Sequence, residues 1–266
     1  MKDWSPPRAV DLIIAVSFGL LVPGRLLQEA RYGGLNVHPS LLPEFRGAAP
    51  IQRALLNRRS TTGVTLQTMH PTRFDHGVIL DRAEVSIEPD YEPRQVVDVL
   101  GEIGARMLAK GIDDGIFIPP LRECPDTAKR EPSYAPKITP EDRHIDWETW
   151  TADDILLRGK VLQKLWDTTT YSRCMSSKIC DVQAKRVTFT GPWTTMSIAD
   201  SAVLPFKRHQ SEYPGRPVAI EGGTRVGFYT TDGHVLTPLE VLIEGKDKSS
   251  SMRMLTRATT AQHEAE

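Results

Sequence analysis

The sequence predicts an α/β fold for the first half of the chain and a small, mostly β unit for the second. Three observations carry that reading. Residues 11–18 (Asp-Leu-Ile-Ile-Ala-Val-Ser-Phe) form a continuous apolar run, the mark of a strand buried on both faces of a parallel sheet. From there to residue 87, strand-like runs alternate with helical ones, as in an α/β layer whose ligands bind beyond the carboxyl ends of its strands. After residue 166 the apolar runs are short and separated by turn signals, which predicts a small β-barrel or meander.

Taken in order, the strand at 11–18 is followed by Pro23, which opens a short helix to Ala30. Leu35–His38 is the next strand and Ala48–Asn57 the next helix. Thr61–His70 is rich in Thr and Val and alternates, so it is a strand; Val78–Ile87 is another. Asp90 to Pro93 opens the longest helix, with Val96, Val97, Leu100, Ile103 and Met107 on one face at helical spacing. Gly111 and Gly115 close it, and Pro119-Pro120 prevent its resumption. Residues 119–150 read as a linker rich in proline and charge. Thr151 and Asp154 form a capping-box-like start for a helix to Trp166. Turns follow at Ser176-Ser177, Thr190-Gly191-Pro192, Tyr213-Pro214-Gly215, Glu221-Gly222-Gly223 and Thr231-Asp232-Gly233, and from Lys246 onward a polar tail is expected to fray.

At 266 residues the chain can bury a sizeable core, as one large or two modest domains. The net charge of −1 specifies no partner. Residues 155–216 nevertheless hold ten Lys/Arg against four Asp/Glu, a local excess of six. That excess suits an RNA backbone or an ordinary solvated surface. Cys124, Cys174 and Cys180 are odd in number and lack metal-ligand spacing, so a reducing compartment without disulfides or structural zinc is expected. No apolar run approaches the length of a membrane span, and the first ten residues match neither a secretory signal nor a transit peptide.

The stretch with chemical content is Gly34–Gly47, Gly-Leu-Asn-Val-His-Pro-Ser-Leu-Leu-Pro-Glu-Phe-Arg-Gly. Side chains alternate along a strand, so Asn36 and His38 share a face, and Pro39 and Pro43 end the ladder. Two polar groups at the end of a buried strand call for a ligand or a hydrogen-bond network. A second piece, Phe74-Asp75-His76-Gly77-Val78-Ile79, brings a carboxylate on a turn just before another apolar run. Taken singly, a strand-end Asn or His usually caps backbone and an Asp-x-Gly is usually a turn; His70 and His76 are read as turn or surface residues.

Together the two pieces resemble the active site of the folate-dependent formyltransferases. Asn36, His38, Ser40, Leu41, Leu42 and Pro43 match Asn-x-His-x-Ser-Leu-Leu-Pro, and Asp75, Gly77 and Ile79 match the Asp-x-Gly-x-Ile turn, with the same helix between. Ser133–Ile138 and Arg143–Trp147 resemble the bridge of the methionyl-tRNA formyltransferase family. The resemblance covers residues 11–165 well and the remainder loosely. It implies an incomplete Rossmann-like formyltransferase domain at 1–118, a bridge at 119–150, an OB-like, tRNA-contacting barrel at 151–248 and a polar tail at 249–266. It also implies transfer of a formyl group from 10-formyltetrahydrofolate to the amino group of initiator methionyl-tRNA, in translation initiation.

In that reading Asn36 donates to the developing oxyanion, His38 donates to it or shuttles a proton towards the leaving folate nitrogen, and Asp75 fixes the imidazole's tautomer and takes a proton, directly or through water, from the attacking amine. Phe18, Leu20, Leu21, Ser40, Leu41, Leu42, Pro43, His70 and Phe74 hold the folate, with a cis Leu42–Pro43 bond implied by the family. Lys160, Lys164, Arg173, Lys178, Lys185 and Arg186 are expected to meet tRNA phosphates. Neither a metal, a nicotinamide nor a membrane is expected, and the implied state is a monomer. The implied location is the mitochondrial matrix in a eukaryote and the cytoplasm in a bacterium. Two other readings stay open: a non-catalytic folate- or RNA-binding remnant, and a formyltransferase for a small amine such as glycinamide ribonucleotide. Relatives carry a further half-domain before the strand at Asp11, where this chain has Met1–Val10. Part of the sheet and of the tRNA surface is therefore expected to be missing, and the chain alone to be poorly soluble and nearly inactive.

Overall fold

A computed structural model describes residues 4, 6, 8–89, 91–125, 130–175, 184–197, 214–220 and 225–264. Asp90, Lys178, Cys180, Tyr213 and the expected turns at Ser176-Ser177 and Glu221-Gly222-Gly223 lie outside the described residues. The chain divides into two compact units, Met1–Ile138 and Thr139–Glu266.

The first unit is a Rossmann-like α/β layer on a mixed sheet. Its order is β1 (Ile13–Val16), α1 (Gly24–Glu29), β2 (Gly34–His38), α2 (Pro50–Leu56), β3 (Thr61–Thr68), β4 (Ile79–Ser86) and α3 (Pro93–Asp113). The strands lie side by side in chain order. β1 runs parallel to β2, whereas β2–β3 and β3–β4 are antiparallel. The parallel sheet read from the run at 11–18 is thus parallel at β1–β2 and antiparallel beyond it, because an apolar run reports burial and carries no sign of strand direction.

The expectation for the first strand is also corrected. β1 pairs only with β2 among the described residues. Ile14 is 46% exposed and Val16 55%, so this run is not buried on both faces. The inner core lies on β2 and β3, with Leu35, Val37, Val64 and Leu66 buried beneath α3. The buried stripe of α3 is Val96, Leu100, Gly104, Met107 and Gly111. Val97, expected inside, faces solvent, because a 100° step per residue carries it off the stripe defined by 96, 100 and 107. Gly111 is therefore interior to the helix, and Gly115, at φ +64, follows its end.

The segment after α3 returns to the first unit. Arg46 and Tyr134 form a parallel bridge, and Ala49 N–H donates to the Ala135 carbonyl at 3.1 Å. Arg130 reaches Glu44 at 3.0 Å and Glu84 at 2.6 Å.

The second unit contains α4 (Ala152–Leu162), β5 (Lys164–Asp167), α5 (Thr169–Met175), β6 (Val187–Ser197), β7 (Pro217–Ile220), β8 (Arg225–Tyr229), β9 (His234–Ile243) and α6 (Lys248–Glu264). Thr151 and Asp154 make the expected capping box. The helix stops at Leu162, not Trp166, because Gln163 turns left-handed at φ 66 and Trp166 lies in β5. The five strands form an antiparallel sheet in the order β5-β6-β9-β8-β7. Among the described residues these strands form an open sheet, and no closed barrel is found. The supposed turn at Thr190-Gly191-Pro192 is an irregularity within one strand: β6 pairs with β9 on both sides of it, with a register shift between Thr190 and Trp193. Proline lacks the N–H that the ladder needs, so it settles at such a break.

This sheet is covered by an aromatic core. Trp147 stacks on Phe228 at 5.7 Å, and Phe189 meets Phe228 edge-on at 5.1 Å. Asp167 is fully buried and accepts from the Trp147 indole N–H and from Thr170, while burial pushes its carboxyl up despite those bonds. The polar tail is corrected to α6, which packs on the sheet with Leu255, Ser251 and Thr259 buried. Ser251 hides its polarity by accepting from Ile243 N–H at 3.0 Å and donating to the Asp247 carbonyl at 2.8 Å. If α6 is a packed element, Leu255→Ala should lower stability by about 2–5 kcal/mol. Urea unfolding followed by tryptophan fluorescence checks this, and an unchanged midpoint would return the segment to a frayed tail.

Candidate active site

β2 presents Asn36 and His38 on one face, and β3 runs antiparallel beside it with Gln67 directly opposite Asn36. The loop between β3 and β4 folds back and delivers Asp75 onto these three residues. Two backbone features make that possible. Asp75 adopts φ 55, a left-handed conformation that Asp tolerates better than most residues. A Cβ at Gly77 would lie 1.7 Å from the Thr68 carbonyl oxygen, so the turn closes only with glycine there.

The Asp75 carboxylate is held from several sides. Its Oδ1 accepts from the Gln67 amide at 3.0 Å and the Asn36 amide at 3.3 Å. Its Oδ2 accepts from Gly47 N–H at 2.9 Å. His38 Nδ1 lies 3.4 Å from Oδ1, and both side chains are almost wholly buried. Gly47 is itself constrained: it sits at φ +120, and a Cβ there would come within 2.6 Å of the Ala135 carbonyl.

The tautomer of His38 follows from its other contact. Nε2 lies 3.0 Å from the Phe45 carbonyl oxygen, which can only accept, so Nε2 carries a hydrogen. In the neutral ring Nδ1 is then without a hydrogen and faces Asp75 Oδ1 at 3.4 Å, so the pair has room for one proton between those atoms. Asn36 spends one amide hydrogen on Asp75 and keeps a second. The cluster can therefore donate from Asn36, and can accept or return a proton through His38 and Asp75.

These groups line a cavity of about 530 Å³. Its apolar walls include Phe18, Leu20, Leu21, Met69 and Phe74, and Gln67, His70, Arg73, Tyr134 and Lys137 also line it. Of the expected folate residues, Phe18, Leu20, Leu21, His70 and Phe74 reach the cavity beside Asn36, His38 and Asp75. Ser40, Leu41, Leu42 and Pro43 do not. They are buried behind it: Ser40 Oγ donates to the Glu44 carbonyl at 2.7 Å, and Leu42 N–H donates to Thr65 Oγ1 at 3.1 Å. Their role here is to fix the loop that carries Phe45 and Gly47, and Leu42–Pro43 is cis. His70 also shapes its own turn, its Nδ1 accepting from Thr72 and Arg73 N–H at 3.2 and 3.1 Å. His76 packs at 3.5 Å from the Arg46 guanidinium.

The sequence reading missed Gln67, the Phe45 carbonyl and the Gly47 amide. Gln67 falls at an inward position of a strand otherwise filled by Val64, Thr65 and Leu66, and a polar side chain in such a run is the one signal that could have exposed it. Backbone donors and acceptors leave no trace in residue identity.

The expected basic residues lie in the second unit. Lys160 is on α4 and Lys164 opens β5, exposed. Arg186 stacks over Trp166 at 4.5 Å and Lys185 sits 5.7 Å over Tyr171. Arg173 is half-buried and donates to the Pro214 carbonyl, so part of its fork is committed to the fold. No described helix is long and apolar enough to cross a membrane, and no cluster of three or more metal-ligating side chains occurs among the described residues.

Comparison with known proteins bears on this geometry. A family model described as formyl transferase matches residues 3–112. The methionyl-tRNA formyltransferase of Bacillus licheniformis is 30% identical over 241 residues, covering 82% of this chain and 73% of that protein. The chain belongs to the methionyl-tRNA formyltransferase family. The mitochondrial family member of Saccharomyces cerevisiae is 40% identical over 175 residues. That match covers 58% of this chain and 43% of the yeast protein, so it spans less than half the relative's length. HypX from Aquifex aeolicus shares the fold, with a TM-score of 0.54 at 17% identity over 90% of this chain and 38% of that one; a second HypX structure, in complex with tetrahydrofolic acid, gives a TM-score of 0.51 at 18% identity, covering 90% of this chain and 36% of that one.

The closeness of the Gly77 turn yields a direct test. Gly77→Ala should cost at least about 1–3 kcal/mol by overpacking and pull Asp75 from its donors. A urea midpoint equal to that of the unaltered chain would show that the turn relaxes freely.

Proposed function

We propose that this chain transfers a formyl group from 10-formyltetrahydrofolate to the amino group of methionyl-tRNA, with Asn36, His38 and Asp75 as its catalytic residues. The observation that carries the reading is Asp75 on the wall of an apolar cavity, held by Asn36, Gln67 and Gly47 and set against His38. Its relatives named methionyl-tRNA formyltransferase supply the acceptor.

Transfer forms a bond between the amine nitrogen and the formyl carbon and breaks the bond from that carbon to the folate nitrogen. Negative charge builds on the formyl oxygen, and the uncommitted Asn36 N–H is the donor available to meet it. The amine must lose a proton as it attacks. The His38–Asp75 pair receives it and returns it to the leaving nitrogen, so the balance closes without any other reactant. The cavity fits the co-substrate's flat ring system: Phe18, Leu20, Leu21, Met69 and Phe74 offer apolar faces, and backbone around Leu21 and in the 70–74 loop can pair with polar ring edges. In a eukaryote this activity belongs in the mitochondrial matrix, in keeping with the names of the yeast and human relatives; in a bacterium it belongs in the cytoplasm.

The test is formyl transfer by the purified chain to methionyl-tRNA and to glycinamide ribonucleotide, side by side with folate binding. Transfer to methionyl-tRNA and not to the small amine is expected, at the low rate that the resemblance implies for this chain by itself. Transfer to the small amine alone, or folate binding without any transfer, would overturn the assignment. Asn36→Ala should lower turnover by about 10²–10³ with little change in folate affinity. His38→Ala and Asp75→Asn should be comparably severe, and the double substitution less than additive if the pair acts as one unit.

The partner assignment rests on Lys160, Lys164, Arg173, Lys178, Lys185 and Arg186 of the second unit. If they meet phosphates, tRNA affinity should fall as salt rises, and replacing several with Ala should flatten that slope by about one for each phosphate left without its cation. An unchanged slope would move the docking surface elsewhere.

A further inference from the structure

Gln67 is 1% exposed and both ends of its side-chain amide are committed. Its Nε2 donates to Asp75 Oδ1 at 3.0 Å, and its Oε1 accepts from Gly77 N–H at 3.3 Å. It therefore grips the turn two residues apart, at the carboxylate and at the glycine that closes the turn. The β3–β4 ladder is irregular at this point: Leu66 pairs with Asp81 but Gln67 with Ile79, leaving Leu80 as an extra residue on β4. Bulges of this kind re-aim side chains beside active sites.

Gln67 and Asn36 are cross-strand partners, and both donate to the same oxygen of Asp75. Asn36 cannot serve Asp75 and a developing oxyanion with the same hydrogen. We propose that Gln67 is a positioning residue for formyl transfer: it holds the Asp75 carboxylate in place against His38, while Asn36 keeps its uncommitted N–H for the substrate. This rests on the function proposed above. Gln67 makes the shorter bond of the two, and its second tie to Gly77 fixes the turn that carries the carboxylate. Asp75 faces His38 from β2, and His76, His70 and Arg73 belong to its own loop; Arg46 stands behind, against His76.

Three measurements test the proposal. In the unaltered chain, the side-chain amide resonances of Gln67 should shift with the carboxyl titration of Asp75, read by NMR on a chain labelled at Asp and Gln. Amide resonances that ignore that titration would overturn the proposal without any variant. In Gln67→Met, which keeps the volume and removes a donor to the charged carboxylate, the Asp75 midpoint should lie above that of the unaltered chain. Turnover should fall roughly ten- to hundredfold, the acid limb of the pH–rate profile should move up, and the folate KM should stay within about threefold. In Gln67→Glu, which keeps an acceptor for Gly77 N–H, a second carboxylate should raise the midpoint further.

Variants that lose stability but leave the Asp75 midpoint and the acid limb in place would make Gln67 structural only. A chain that transfers no formyl group overturns the function proposed above, and the NMR titrations then still decide the role of Gln67.

Discussion

The carboxylate of Asp75 is the joint on which the first unit's polar interior depends. A buried carboxylate is costly unless its lone pairs are filled by donors or it is paired with a cation. Here Gln67 comes from β3, Asn36 and His38 from β2, and the Gly47 amide from the loop between β2 and α2. No single element could supply this set. The requirement that all of them meet one side chain pins the 69–78 loop to the sheet. It also accounts for the unusual backbone at Asp75 and the steric demand for glycine at Gly77.

The surroundings give those polar groups their force. Phe18, Leu20, Leu21, Met69 and Phe74 wall the cavity with apolar surface, and hydrogen bonds there are less weakened by water than at an open face. His38 is fixed by the Phe45 carbonyl, and Phe45 itself is held at φ 56, a conformation a bulky side chain seldom adopts. The Ser40–Pro43 segment keeps Phe45 there from behind, through bonds from Ser40 to Glu44 and from Leu42 to Thr65. A segment whose motif suggests ligand contact is thus the support of the His38 imidazole.

The second unit solves a different problem. Its strands are interrupted by proline and glycine, and its core is carried by a few large rings, Trp147, Phe189, Trp193 and Phe228. A helix with few apolar side chains packs on β7, β8 and β9, where Ser251 satisfies its polarity against Ile243 and Asp247. Arg186, exposed, stacks on the half-buried Trp166, and the half-buried Arg158 stacks on Trp150, so flat cations cover two of this unit's indole rings.

Residue identity and spacing alone determined the alternation of strands and helices up to residue 113, the Asn36–His38 face and the Asp75 turn. These are local properties, written in periodicity and in residues that only a turn or a polar site tolerates. Strand direction, the exposure of Ile14 and Val16 and the packing of α6 needed the tertiary structure, because each depends on what lies across from a segment. The same holds for the reading of Thr190–Pro192: a proline and a glycine mark a break in the ladder, and only the partner strand β9 decides that the chain carries straight on. Gln67 is the sharpest instance. Its identity is plain in the sequence, but its meaning comes from Asp75 eight residues on, brought to 3.0 Å by a loop whose path no local pattern specifies.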